Sequence, residues 1–441
     1  MIEQKKKLEE TVNEALTIAR QLGVDQAEVA LAKTSGISVN TRLGEVENIE
    51  FNCDGAMGIS VYVNHCKGSA STADLSIEAI QSTVKAAVDI AKYTSQDNFA
   101  GLLDPNCLEN APLDLDLYHP SCHSTEQLLA IAKECEDIAL ASDQRIVNSD
   151  GAGVSSHSSV KVYGNTHGFL HSYASSRHSL SCMLIGQQGD EMQRDYSYSS
   201  ARAMEELFTA KWVADDAVQR TVERLGSRKI KTQQSPVIFA PEVASGLFGH
   251  LVGAISGASL YKKSSFLLDS LDTQIFPNWL DVCEQPHIIK GIASTPYDQE
   301  GAKTVTRNII EGGVLQTYLL TGYAARKLGM QSTGHSGGIH NWFVKTGALD
   351  LHGLFKEMGT GLFVTELMGQ GVNMVTGDYS RGASGFWIEN GVIAYPVHEV
   401  TIAGNLKEMF MDIEAIASDI DPRSSLKTGS MLIKKMKIAG E

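Results

Sequence analysis

Apolar residues recur with a helical period at four places in the chain. Leu8, Val12, Ala15, Leu16, Ala19 and Leu22 mark one face of a first helix, and Ile77, Ile80, Val84, Val88 and Ala91 mark a second. Leu128, Leu129, Ile131, Ala132, Cys135 and Ile138 mark a third, which opens on Ser124-Thr-Glu-Gln127, the spacing of a capping box. Val213, Ala217, Val218, Val222 and Leu225 mark the fourth. Between the helices the pattern changes to short apolar runs broken by turn residues. Residues 36–71 form one such β-rich stretch, with Leu43-Gly44, Asp54-Gly55 and Lys67-Gly68 as its turn signals, and Gly151 opens another. Asn52-Cys-Asp-Gly55 and Asn165-Thr-His-Gly168 predict matching turns, and a helix follows each stretch. Residues 36–93 and 151–225 therefore read as two copies of a β-meander-plus-helix unit.

The acidic stretch 96–123 reads as a long connection. The polar run 226–235 divides the chain into an N-terminal α+β region, 1–232, and a β-rich C-terminal region, 233–441. Beyond one apolar helix near 243–257, the second region is rich in hairpin signals. Asn390-Gly391 lies between two apolar runs, and Gly312-Gly313 plays the same part earlier. Helices and strands are segregated, which predicts an α+β fold.

Residues 243–261 carry no formal charge, a length that fits a membrane span, and place Ser245, Gly249, Gly253 and Gly257 in one stripe. Glu242 directly before the run, His250 inside it and the lack of a basic cluster at its N-terminal end favour a buried helix of a soluble protein. The stripe then predicts a close neighbour, so that Gly253→Leu overpacks it.

Charge and cysteine usage narrow the function classes. Lys and Arg total 37 against 52 Asp and Glu, and the net charge of −15 repels phosphate backbones, which argues against nucleic-acid binding. The seven cysteines contain no C-x-x-C pair and match a reducing compartment. The charged, amphipathic first helix is no secretory leader, so a cytoplasmic location is expected. His167 with His171, and His119 with Cys122 and His123, are incomplete ligand sets. Gly334-His-Ser-Gly-Gly338, followed by Asp378 and His398, has the spacing of a serine-hydrolase elbow. The flanking residues do not read as strand and helix, so a hydrolase using Ser336 is the weaker alternative.

Several segments, in order, carry a resemblance: Gly44-Glu-Val-Glu-Asn48, Asp54-Gly-Ala56, Gly246-Leu-Phe-Gly-His-Leu-Val-Gly253, Ala325-Arg-Lys-Leu-Gly329, Thr333-Gly-His-Ser-Gly-Gly338, Thr365-Glu-Leu-Met-Gly-Gln-Gly371 and Gly377-Asp-Tyr-Ser-Arg381. Over nearly its whole length the chain resembles the TldD/PmbA family (peptidase family U62). The resemblance implies a subunit of a cytosolic zinc metalloprotease, in which a TldD-type chain and a sister chain form a heterodimer that degrades unstructured peptides. The family is also known as a modulator of DNA gyrase, a name that does not imply DNA binding.

In the TldD-type chain, the family resemblance places His-Glu-x-x-x-His on the apolar helix and a third ligand, cysteine, near the C-terminus. Here Gly249 and Ala254 stand at the two histidine positions, His250 stands at the glutamate, and no cysteine follows Cys283. The resemblance therefore implies no metal in this chain, with zinc in the TldD-type partner, and no cleavage by the chain alone. Substrate binding and partner docking remain. The glycine-rich segment 359–391 is a candidate for accepting an extended peptide by β-addition, with His335, His340, Asn341, Glu366 and Tyr379 as candidate groove residues. The same residues equally suit turn-holding roles. A stand-alone regulatory or binding protein without proteolytic role is the competing class. No membrane partner is expected.

Overall fold

The computed structural model describes residues 4–441. Its N-terminal part runs α1 (Lys5–Gln21), β1 (Gln26–Arg42), β2 (Glu45–Val63), β3 (Cys66–Thr72) and α2 (Ile77–Tyr93), then α3 (Thr125–Ser142), β4 (Ile146–Asn165), β5 (Leu170–Gln188), β6 (Glu191–Ala201) and α4 (Ala210–Glu223). One helix, three strands and one helix thus occur twice with the same connectivity. The six strands form one sheet in the order β3-β2-β1-β4-β5-β6, with β1 and β4 antiparallel at the centre from Glu28↔Asn165 to Thr41↔Ala152. Each half has its own core. Leu8, Val12, Leu16, Val29, Ile59 and Val84 bury α1 and α2 in one, and Leu128, Cys135, Val154, Leu184, Val213 and Ala217 bury α3 and α4 in the other. The capping box at Ser124 is present, with Gln127 reaching back to the Ser124 N–H.

The unit is larger than the sequence predicts, and two of its turns lie elsewhere. β1 starts at Gln26, before residue 36, and Asp54 and Gly55 sit inside β2 opposite Thr34 and Lys33. The turn that follows β2 is Asn64-His65, both at positive φ, and Gly68 lies within β3. Strands of 17–19 residues are much longer than the usual five or six, so polar turn-formers fall in mid-strand and mimic strand ends. Gly68 is glycine for a different reason, because α2 crosses above it. A β-carbon there would meet the Ala87 carbonyl oxygen at 1.9 Å. Gly68→Ala should therefore destabilise the protein by about 1–3 kcal/mol, read from denaturant melts.

The C-terminal part comprises β7 (Gln233–Phe239), α5 (Pro241–Ala254), α6 (Gly257–Tyr261), β8 (Val282–Glu284), β9 (Arg307–Glu311), β10 (Val314–Leu315), α7 (Gly322–Leu328), β11 (Trp342–Val344) and α8 (Leu351–Met358). β12 (Gly361–Met368), β13 (Asp378–Glu389), β14 (Val392–Asn405), α9 (Leu406–Met411), β15 (Ile413–Ile416), β16 (Leu426–Lys427) and β17 (Met431–Ala439) complete it. One sheet has the order β14-β13-β12-β7-β17-β15, and pairing of β14 with β17 closes five of these strands into a ring. A second sheet runs β10-β9-β8-β11-β16. Both predicted hairpins form, with positive φ at Asn390-Gly391 and at Gly312-Gly313.

The apolar run near 243–261 is two helices, α5 and the short α6, and no helix among the described residues is long and apolar enough to cross a membrane. α5 buries Val243, Ala244, Leu247, Phe248, Leu251 and Ala254. The expected glycine packing stripe lies on its other face. Gly249 is exposed with nothing within 4 Å of an added β-carbon, and Gly253 meets only the terminal methyl of Met374 at 3.2 Å. The helix ends at Ala254, so only Gly257, already in α6, makes a tight contact, with Ala324 Cβ at 2.4 Å from its would-be β-carbon. Gly253→Leu is thus not forced to overpack. Gly249→Ala should raise stability by roughly 0.5–1 kcal/mol, the helix-propensity gain at an open site, and a lower melting temperature would contradict this placement.

Arginines tie the two parts together. Arg202, just after β6, donates to the carbonyls of Gly291 and Ile292. Arg326 on α7 donates to Phe99, Gly101 and Leu102 in the long connection, and Glu242 at the start of α5 pairs with both Arg220 of α4 and Arg423.

Candidate functional site

The five candidate groove residues separate into two groups. The first surrounds Glu284, the last residue of the three-residue strand β8, whose side chain is 1% exposed. Its Oε1 accepts the main-chain N–H of His340 at 2.9 Å and the indole N–H of Trp342 at 3.0 Å, while Oε2 lies 2.9 Å from His335 Nε2. The other nitrogen of His335 is 2.8 Å from Thr333 Oγ1. His340 Nδ1 lies 3.4 Å from Glu284 Oε1 but makes no hydrogen bond. Burial acts to raise the Glu284 pKa, but the hydrogen bond from His335 and the charge of His335 and His340 outweigh it and hold the carboxyl well below its ordinary range. Asn341 is spent on the main chain and Ser294: its amide donates to Gln285 O at 2.9 Å and Ser294 Oγ at 2.8 Å and accepts from Ala293 N–H. These residues brace the loop 285–295 and the segment 333–342 rather than line an open groove along 359–391.

Glu284, His335 and His340 are also the only three residues among those described whose ligand atoms lie within 4.8 Å of one another. Their donor chemistry suits zinc. Both carboxylate oxygens, however, already have protein partners, which a metal would have to displace.

An interdomain cavity of about 570 Å³ lies beside this cluster, lined by Tyr163, Arg202, Tyr297, Asp298, Ser336 and His340 among others. Asp298 accepts the N–H groups of Glu300, Ala302 and Ser336, and burial raises its pKa. Neighbouring Glu300 accepts the Gly322 N–H at the start of α7 at 2.7 Å. Burial, reinforced by Asp298 and Glu28, pushes its pKa up to about 7. Ser336 sits in a loop with no strand before it and no helix after it, and its hydroxyl has no histidine partner, so the serine-hydrolase elbow is not formed.

The second group lies along the open face of α5. Glu366 projects from β12 and pairs with Arg224. Tyr379 of β13 is 2% exposed, with its ring centroid 6.0 Å from that of His250, edge to face. Burial and the charge of Arg381 hold His250 below the ordinary imidazole range, so it is neutral at pH 7. Gly249 offers no side-chain ligand and Ala254 is a buried methyl, so His250 carries the lone side-chain nitrogen on this helix. A zinc ion needs three or four donors, and the residues here do not fit one. The β-addition reading also narrows. β12 and β13 are inner strands of the ring, paired on both sides, except that β7 pairs with β12 only at Leu362–Val364. Thr365 to Met368 run on past it, and Thr365, Glu366 and Leu367 line a cavity of about 360 Å³ with Gly246, Glu242 and Arg381.

Sequence reasoning passed over Glu284 and Arg381. Nothing local marks a lone glutamate in a three-residue strand as a hub. Arg381 was visible inside the Gly377-Asp-Tyr-Ser-Arg381 segment, yet spacing does not reveal which arginines lack partners.

Comparison with known proteins places this architecture. Family models match in series: PmbA/TldA metallopeptidase domain 1 over residues 27–91, the central domain over 118–225 and the C-terminal domain over 232–440. The fold and these matches define a metallopeptidase-family chain. It belongs to the PmbA/TldD family. Metalloprotease PmbA of Escherichia coli O157:H7 is 56% identical over 438 residues, covering 99% of this chain and 97% of the relative. The Metalloprotease PmbA homolog of Haemophilus influenzae is 52% identical over 440 residues, covering 99% and 97%. A Bacteroides thetaiotaomicron crystal structure, described as a modulator of DNA gyrase, superposes with a TM-score of 0.94 at 28% identity, covering 99% of this chain and all of that one. TldE from Thermococcus kodakarensis shares the fold, with a TM-score of 0.82 at 20% identity, covering 98% of this chain and 100% of that one.

Proposed function

We propose that this chain is the metal-free member of a cytoplasmic two-chain peptidase: it docks on a TldD-type subunit that carries the zinc, and it helps to hold unstructured peptides for cleavage there. The observation that carries the reading is the open face of α5. Gly249 and Ala254 occupy the positions where the TldD-type motif has histidines, and His250 is the single donor left. The name of a more distant relative, the zinc metalloprotease TldD homolog of Saccharolobus solfataricus, supports zinc within the family. It is 25% identical over 292 residues, covering 60% of this chain and 65% of the relative.

Zinc in the partner would polarise the scissile carbonyl and activate water. This chain's contribution is positional. The unpaired edge at residues 365–368 offers main-chain hydrogen bonds to an extended peptide with little demand on its sequence, and the open space over Gly246 and Gly249 of α5 leaves room beside it.

Co-expression with a TldD-type chain should yield a stable complex that cleaves unfolded peptides and loses that activity to a chelator. The isolated chain should hold no stoichiometric zinc by elemental analysis and cleave nothing. Near one zinc per chain, lost in His340→Ala, would instead locate a metal at the Glu284 cluster and overturn the metal-free reading.

A further inference from the structure

The pocket at the open face of α5 contains a positive charge with no counterpart. Three carboxylates border it, and each is engaged by another arginine: Asp195 by Arg220 and Arg224, Glu242 by Arg220 and Arg423, and Glu366 by Arg224. Arg381 of β13 is half-buried in the same pocket and makes no side-chain hydrogen bond or ion pair with any described residue. Its Nε is fully buried and unpartnered. Two residues earlier on the same strand, Tyr379 is 2% exposed, and its hydroxyl is likewise buried without a partner. Nearby His250 is neutral, so it neither repels a cation nor competes for an anion. Over Gly246 and Gly249 the helix presents no side chains and nothing fills the space.

Leaving a guanidinium Nε and a phenol hydroxyl desolvated and unpaired is costly unless something completes them. A guanidinium's planar fork matches a carboxylate through two parallel hydrogen bonds. From this geometry we infer that Arg381, assisted by the Tyr379 hydroxyl, binds a free carboxylate, that of the C-terminus of a short peptide lying along residues 365–368. The occupant follows from the proposed peptide-handling role and rests on it. Main-chain pairing on the β12 edge holds the peptide's extended body, and Arg381 reads where it ends. Such a site prefers short peptides with accessible ends over internal segments of long chains.

The test compares an N-terminally labelled, unstructured hexapeptide carrying a free C-terminal carboxylate with the same peptide as its C-terminal amide. Fluorescence anisotropy measures binding to the full chain and to its complex with the TldD-type subunit. The acid should bind about tenfold more tightly than the amide. Arg381→Gln should bring the acid down to the affinity of the amide without altering amide binding, and Arg381→Lys should fall between. Tyr379→Phe should weaken the acid alone, by several-fold. Melting curves confirm that each variant is folded, and the unchanged amide affinity is an internal control.

Equal binding of acid and amide by the wild-type chain overturns the carboxylate site while leaving peptide handling intact. Equal loss of both peptides in Arg381→Gln does the same, since it marks a general packing role. Acid preference in the free chain that disappears in the complex assigns Arg381 to the subunit interface and also overturns it. Failure of both forms to bind the chain and the complex alike removes the proposed function itself, and the carboxylate site with it.

Discussion

Glu284→Ala should lower the unfolding free energy at pH 7 by about 3–5 kcal/mol, the cost typical of breaking a buried charged pair. The substitution strips the acceptor from three donors at once: the His340 main-chain N–H, the Trp342 indole N–H and His335. It also leaves Arg307, whose Nε has no other partner, without the carboxylate 3.9 Å away. The pH dependence has a definite sign. The folded-state pKa of Glu284 is depressed, so its contribution is present above the pKa of an unfolded glutamate and is lost as the pH falls below it. Denaturant melts of wild type and variant between pH 3 and 7 should converge toward the acid end. A loss below about 1 kcal/mol at pH 7, the worth of a single ordinary hydrogen bond, would show that the hub is dispensable.

Glu300→Gln should do the opposite and stabilise the protein at pH 8. Here the folded-state pKa is raised to about 7 from an ordinary value of 4.5, so the folded chain retains a proton that the unfolded chain has released across that window. Wild-type stability therefore falls as the pH rises from 4.5 to 7 and levels off above it, by an amount on the order of 3 kcal/mol. Glutamine keeps the acceptor for the Gly322 N–H at the start of α7 but carries no charge to desolvate beside Asp298 and Glu28. The variant should lose this slope and gain most of its advantage at pH 8. A variant less stable than wild type at pH 8 would mean that the carboxylate's charge, not merely its oxygen, holds the turn into α7.

The two carboxylates also show what a linear reading captures and what it misses. The four N-terminal helices were legible because each buries a stripe whose spacing is local: Val12 and Leu16, Val84 and Val88, Leu128 and Ala132, Val213 and Ala217. The Asn390-Gly391 hairpin was legible for the same reason, since two residues encode it. Strand limits were not. Asp54 and Gly55 have turn chemistry but are held in β2 by pairing with Thr34 and Lys33, some twenty residues away. The glycine face of α5 carried a true signal with the wrong meaning, because a missing side chain marks either a close neighbour or an open groove. The linear reading put His335, His340 and Asn341 in one groove with Glu366 and Tyr379, but the carboxylate bonded to His335 and His340 lies about fifty residues earlier. Glu366 and Tyr379 belong to another place altogether, beside α5.

The ring of β14, β13, β12, β7 and β17 has a consequence for how the protein is made. β17 pairs with β7, β14 and β15, so residues 431–439 close a structure whose first strand was synthesised about two hundred residues earlier. On a ribosome the duplicated N-terminal region has every strand of its sheet once β6 has emerged, and it can fold while synthesis continues. The C-terminal ring cannot. Until its last strand emerges, β7 and β14 present open edges, the kind of surface that recruits chaperones or pairs with other nascent chains. Translation that stalls between β14 and β17 would thus leave a folded front half attached to an aggregation-prone rear.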